Sequence, residues 1–216
     1  MKKPIFLTAL AALLATPIAI PAALHAAGPA AGEWAIGPII RGRNYSVNMP
    51  LTMSEGRAGP TFTFPGPTRA DGHVHYVTAP VQSLEGARRI TLRYRIDAAP
   101  GVRFVQQETE APTGTLSLYF QRRGDRWSAR TPRHRWYSPA GRDVPLRPGT
   151  HTVSISLDEP WIAMMGGNNR DFPSEFRAAL AEAHQVGFTF GGDSGRGHGV
   201  YATGPARFTV LDFRIE

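Results

Sequence analysis

Residues 117–138 read SLYFQRRGDRWSARTPRHRWYS and hold six arginines, two tryptophans and two tyrosines in 22 positions. Guanidinium forks recognise carboxylate, sulfate and phosphate oxygens by paired hydrogen bonds, and aromatic planes offer stacking area with a polar edge. The stretch reads as a strand, a turn at Gly124 and a returning strand, with Trp127 just past the turn, where a core role is hard to arrange. In RHRWY, His134 and Trp136 share one face, and Arg135 and Tyr137 share the other. One large aromatic of the pair therefore points outward whichever face is inside. Tyr119, Gln121, Arg122, Trp127, Arg135, Trp136 and Tyr137 are the candidate ligand residues, with Trp161 of LDEPWIAMMGG as a third indole platform.

Other motifs carry less chemistry. The HVH at 73–75 places His73 and His75 on one strand face, as a metal pair can be. No third ligand follows at a recognisable spacing, so the pair reads as structural and no metal is expected. GGDSGRGHG at 191–199 is similar to a phosphate-cradling glycine loop and, through GDSG, to a serine nucleophile motif. It lacks the Lys-Ser/Thr of the first and an assignable His and Asp for the second. It reads as a loop between strands, with Asp193 and Ser194 given no role. RGD at 123–125 reads as a turn. No pair of carboxylates is spaced for glycoside hydrolysis. The Arg, Gln, His and Tyr types that a polysaccharide lyase uses are present in Arg135, Gln121, His134 and Tyr137.

The elements that must position these residues alternate with period two. RRITLRYRI buries Ile90, Leu92, Tyr94 and Ile96. TLSLYFQ buries Leu116, Leu118 and Phe120 and turns Ser117, Tyr119 and Gln121 outward. HTVSISL and VGFTF behave alike. Strict alternation marks strands with one face on a core. In ARFTVLDFRIE the apolar phase slips between Val210 and Leu211, which predicts a bulge. About ten short strands separated by Gly and Pro turns predict an all-β antiparallel sandwich. One short helix is predicted near 173–184, in PSEFRAALAEAHQ from Pro173, with Phe176 and Leu180 on its apolar stripe. Residues 33–216 read as a single domain.

Residues 1–26 have the pattern of a secretory signal peptide, MKK followed by an Ala-rich apolar run ending at Ala26. The expected protein is exported from a bacterial cell, to the periplasm or the exterior, without stable membrane insertion. There is no cysteine, hence no disulfide framework. The 24 basic residues are Lys2, Lys3 and 22 arginines, against 17 acidic residues, so loss of the signal leaves a net charge of +5. Export argues against nucleic acid as a partner.

Over residues 33–216 the pattern resembles a secreted bacterial β-jelly-roll of the carbohydrate-binding-module, or galactose-binding-domain-like, kind. The resemblance is carried by GHVHYVTAPVQSLEGARRITLRYRI and by FRAALAEAHQVGFTFGGDSGRGHGVYATGPARFTVLDFRI, a short helix leading into an apolar strand, a glycine loop and two closing strands. It implies a glycan or polysaccharide ligand, acidic if the arginines contact it, bound without catalysis. A polysaccharide lyase or hydrolase using the same groove, and a structural or partner-binding envelope protein, are the alternatives. No cofactor is called for; a structural Ca²⁺ is compatible with the sequence but not indicated by it. Oligomeric state is left open.

Overall fold

The computed structural model describes residues 28–69, 74–111, 113–192 and 195–216. Residues 1–26, read as a signal peptide, lie outside these, as do His73, Asp193 and Ser194. The described residues form an antiparallel β-sandwich. Its strands are β1 (Ala35–Gly37), β2 (Ile39–Ile40), β3 (Arg43–Asn44), β4 (Thr61–Thr63), β5 (His75–Pro80), β6 (Arg89–Ala98), β7 (Phe104–Gln106) and β8 (Thr115–Arg122). The chain continues through β9 (Arg135–Tyr137), β10 (Val144–Pro145), β11 (Gly149–Ser156), β12 (Ile162–Ala163), β13 (Ala183–Gly191), β14 (Val200–Ala202) and β15 (Ala206–Ile215).

The first sheet runs β1-β5-β13-β8-β9-β12, with β10 joined to β8. The second runs β11-β6-β15-β4, and β14-β7 and β2-β3 form two-stranded ribbons. The long strands are those whose alternation is strongest. In β6 the buried set is Ile90, Leu92, Tyr94 and Ile96. They meet Val153 and Ile155 of β11, and both sheets contribute phenylalanines between them. Phe208 of β15 stacks on Tyr94 at 4.8 Å and on Phe188 of β13 at 5.1 Å between ring centroids, tying the sheets face to face. Removing such large apolar side chains from water, at about 1.5–3 kcal/mol each, is what holds a chain without disulfides together.

The predicted phase slip in the last strand is a bulge, with the β15–β6 register shifting between Val210 and Asp212. The helix α1 is shorter than predicted, Pro173–Ala181. Ala183 already belongs to β13, because Val186, Phe188 and Phe190 lock that strand between β5 and β8 and pull the preceding residues into the ladder. α1 closes one end of the sandwich, with Phe176 5.7 Å from Phe120 and 4.8 Å from Trp136. No helix among the described residues is long and apolar enough to cross a membrane.

One strand departs from its expected exposure. β8 is buried on both faces except at Arg122. Leu116, Leu118 and Phe120 enter the sandwich core as predicted. Ser117, Tyr119 and Gln121 face away from it but lie beneath side chains folded over the outer surface of the sheet.

Candidate ligand site

That outer covering is organised by three consecutive outward positions of β8. Gln121 lies opposite Arg135 of β9, and Tyr119 lies opposite Tyr137. On the other side, Tyr119 lies opposite Gly187 of β13, and Ser117 lies opposite Thr189, which in turn faces Tyr76 of β5. Residues opposed in a ladder share a face, so all these groups stand on the same outer surface.

At Gln121 the chain builds a buried ion pair. Past the turn at Gly124, Asp125 turns its carboxylate inward, where it is completely covered. Gln121 Nε2 donates to Asp125 Oδ2 at 2.8 Å, and Thr131 Oγ1 donates to Oδ1 at 3.0 Å. Arg135 Nε lies 3.1 Å from Oδ2, a charge contact rather than an aligned hydrogen bond, while its Nη2 donates to the Ser128 carbonyl at 2.8 Å. The same guanidinium carbon sits 5.2 Å from the centre of the Trp127 ring. Trp127 has φ +57, a left-handed conformation that costs a bulky residue about 1–3 kcal/mol. The ring packs there against Arg135 and, edge-on at 4.8 Å, against Tyr76. Because the aspartate of the RGD turn is committed to this ion pair, the tripeptide is not displayed.

At Tyr119 the floor is aromatic. Tyr76, Tyr119 and Tyr137 form a cluster of their own on the outer surface, separate from the sandwich core, with Val74, Trp127 and Met164 against it. The Tyr76 and Tyr137 hydroxyls share a hydrogen bond of 2.6 Å. The Tyr119 hydroxyl has no hydrogen-bond partner among the described residues. Burial pushes all three phenols above their ordinary range, Tyr76 and Tyr119 well above it. For Tyr137, the hydrogen bond from Tyr76 and the cations Arg135 and Arg196 offset burial in part. All three hydroxyls are therefore neutral donors and acceptors at physiological pH.

At Ser117 a second ion pair is built. Ser117 Oγ donates to Asp143, and Asp143 receives Arg196 in bidentate fashion, Nε at 3.1 Å and Nη2 at 2.7 Å. Both partners are nearly covered. The glycine loop that carries Arg196 passes close over the floor. Gly197 has φ +84, and a Cβ there would overlap the Tyr76 hydroxyl, so only glycine lets the loop approach this far.

Above this floor lies an open cleft of about 570 Å³ lined by Tyr76, Trp127, Arg135, Tyr137, Arg196 and His198. One flank is Pro38, Ile40, Tyr45 and Val74, and the opposite flank is Ile162, Ala163, Met164, Met165 and Gly166. His198 is exposed and paired with Glu108. Among the described residues, no group of three or more His, Asp or Glu side chains converges as metal ligands do.

The residues singled out by sequence thus divide. Trp127, Arg135 and Tyr137 line the cleft, and Tyr119 and Gln121 lie directly beneath it as supports. Arg122 lies apart, its guanidinium bound in two hydrogen bonds of 2.9 Å to Glu182. Trp136 and Trp161 are not platforms. Both are fully buried in the sandwich core. Trp136 packs edge-on against Phe176 and donates its indole N–H to the Arg133 carbonyl at 2.8 Å. Trp161 packs on Phe120 and donates to the Ser156 carbonyl at 2.9 Å. Their N–H groups find backbone acceptors, which removes the cost of burying them. Sequence reasoning missed Tyr76, Asp125, Asp143 and Arg196. The signals for Arg196 and Tyr76 existed, a lone Arg in a glycine loop and a Tyr in a strand of polar and apolar alternation, but nothing along the chain says that they meet.

Fold and site together define an antiparallel β-sandwich with a polar-aromatic cleft on the outer face of one sheet. Compared with protein-family models, curated proteins and solved structures, the chain matches none.

Proposed function

We propose that this is an exported glycan-binding protein and that the cleft is its binding site. The observation that carries the reading is the gathering in one cleft of the partly buried Trp127 ring, the Arg135 and Arg196 guanidinium groups and the neutral Tyr76 and Tyr137 hydroxyls. Sugar rings offer C–H faces to an indole and hydroxyls to the groups around it. Arg135 and Arg196 are already oriented by buried aspartates, so little side-chain freedom is lost when they meet a ligand. Their guanidinium groups also suit a uronate carboxylate, which favours acidic polysaccharide over neutral. The N-terminal secretory pattern supports a setting in which such polymers are met.

The state of the tyrosines disfavours one catalytic reading, a lyase that uses a phenol of the cleft as its base. A lyase requires a base to take a proton next to the uronate, and burial holds these phenols protonated at neutral pH. The test is retention on a panel of neutral and uronic-acid polysaccharides, run in parallel with ultraviolet absorbance for unsaturated products and a reducing-end assay. Retention of the wild type, its loss in Trp127→Ala, and no new products are expected. New products would assign an enzyme to the cleft, and no retention on any polymer would remove the glycan reading.

A further inference from the structure

The cleft is chemically uneven, and the unevenness narrows the class of ligand. Its centre is Trp127 with the Tyr76–Tyr137 hydroxyl pair, Arg135 and Arg196, a polar and aromatic set. Both flanks are less polar than this centre, and the one beyond Tyr137 carries the exposed Met165. Ile162 lies opposite Tyr137 in the β12–β9 ladder, about 4.8 Å further across the sheet, and Met164 and Met165 come just after it. Met164 packs against the tyrosine cluster, and Met165 beside it is 66% exposed, so the two extend an apolar strip from the cluster to the cleft rim. Neither Ile nor Met offers a strong hydrogen-bond group. Sugar hydroxyls laid against this flank would give up water and gain no partner, which opposes binding. An apolar group laid there would be favoured, and methionine, unbranched and polarisable, adapts to its shape.

Resting on the glycan reading above, we propose that the ligand carries a short apolar substituent, an alkyl or acyl group on the sugar. The ring lies on Trp127 between Arg135 and Arg196, and the substituent lies over Met164 and Met165. The substituent is short because the same cleft of about 570 Å³ also holds the ring.

The test uses methyl β-D-glucuronide, butyl β-D-glucuronide and 1-butanol, with calorimetric titration of the wild type and of a Met164→Ser, Met165→Ser double variant. Three additional methylenes removed from water should make the butyl glycoside bind at least about tenfold more tightly than the methyl glycoside. In the double variant the ratio of the two affinities should fall to about twofold or less, whatever the change in affinity for the methyl glycoside, and an unchanged circular dichroism spectrum reports an intact fold. Equal affinity of the two glycosides for the wild type would overturn the substituent proposal and leave the glycan reading standing. A butyl advantage that survives in the double variant would overturn the proposed placement. Butanol binding as tightly as the butyl glycoside would show that the sugar contributes nothing, and the glycan reading would fall with the proposal.

Discussion

Tyr76 and Tyr137 stand on strands three places apart in the sheet, at least about 14 Å between backbones, yet their hydroxyls meet at 2.6 Å. The two phenols lean toward each other across β13 and β8, where Gly187 presents no side chain and Tyr119 lies beneath them. The bond holds together the middle of the cleft and fixes the surface on which Trp127 rests.

Trp127 and the two core tryptophans should respond oppositely to truncation. Trp127→Ala should weaken retention on a bound polysaccharide by about 2 kcal/mol, roughly thirtyfold, with a small change in melting temperature. Trp136→Ala and Trp161→Ala should each lower unfolding stability by about 3–5 kcal/mol. Urea unfolding together with affinity electrophoresis separates the two effects. A Trp127→Ala protein as unstable as Trp136→Ala would make that indole a packing residue.

Tryptophan fluorescence offers an independent check. Of the four tryptophans, Trp34, Trp136 and Trp161 are fully buried, and Trp127 alone is partly exposed. Iodide should quench one component of the emission, and Trp127→Phe should abolish that component. Saturating glycan should protect it, since the ligand would cover the indole.

Asp125 and Arg135 should be strongly coupled. Either Asp125→Ala or Arg135→Ala leaves the other charge buried without its counter-ion, and each should cost about 3–5 kcal/mol. The double variant should cost less than the sum of the two, which a double-mutant cycle in urea measures. Arg196→Ala leaves Asp143 covered without its counter-ion in the same way and should also lower stability; in the folded variant the loss of ligand binding should be greater for uronic-acid polymers than for neutral ones. That difference should shrink as salt is raised.

Stability should fall steeply at alkaline pH. Burial raises Tyr76, Tyr119 and Tyr137 above the ordinary value of about 10. The unfolded chain therefore loses those protons first as pH rises. Their contribution is complete below about pH 10 and disappears as pH climbs from there toward the folded-state values. Tyrosinate absorbance followed alongside circular dichroism should show these phenols ionising together with unfolding, not before it. Ionisation with the fold intact would contradict the burial of the cluster.

Local chemistry determined much of this protein. Period-two alternation is a property of neighbouring residues, so the strands around Leu92, Leu118, Val153 and Phe188 and the sandwich they require are legible from sequence. The bulge near Val210 is legible for the same reason, because an extra residue reverses the apolar phase. The concentration of Arg and aromatic residues at 117–138 likewise pointed to residues that the fold gathers in one cleft, Trp127, Arg135 and Tyr137. What sequence could not determine is which side chains cover one another. Period two assigns Tyr119 and Gln121 to the outer face, but whether that face meets water depends on Asp125, Asp143 and Tyr76, which come to it from other parts of the chain. Trp136 and Trp161 look like Trp127 in sequence. The helix α1 and the end of the sandwich bury the first two, while the left-handed turn after Gly124 lifts the third onto the sheet. Arg196 and Asp143 are 53 residues apart, and only the pairing of β8 with β13 and β10 brings them over Ser117. The site depends on contacts between strands far apart in sequence, and such contacts exist only after the sheet has formed.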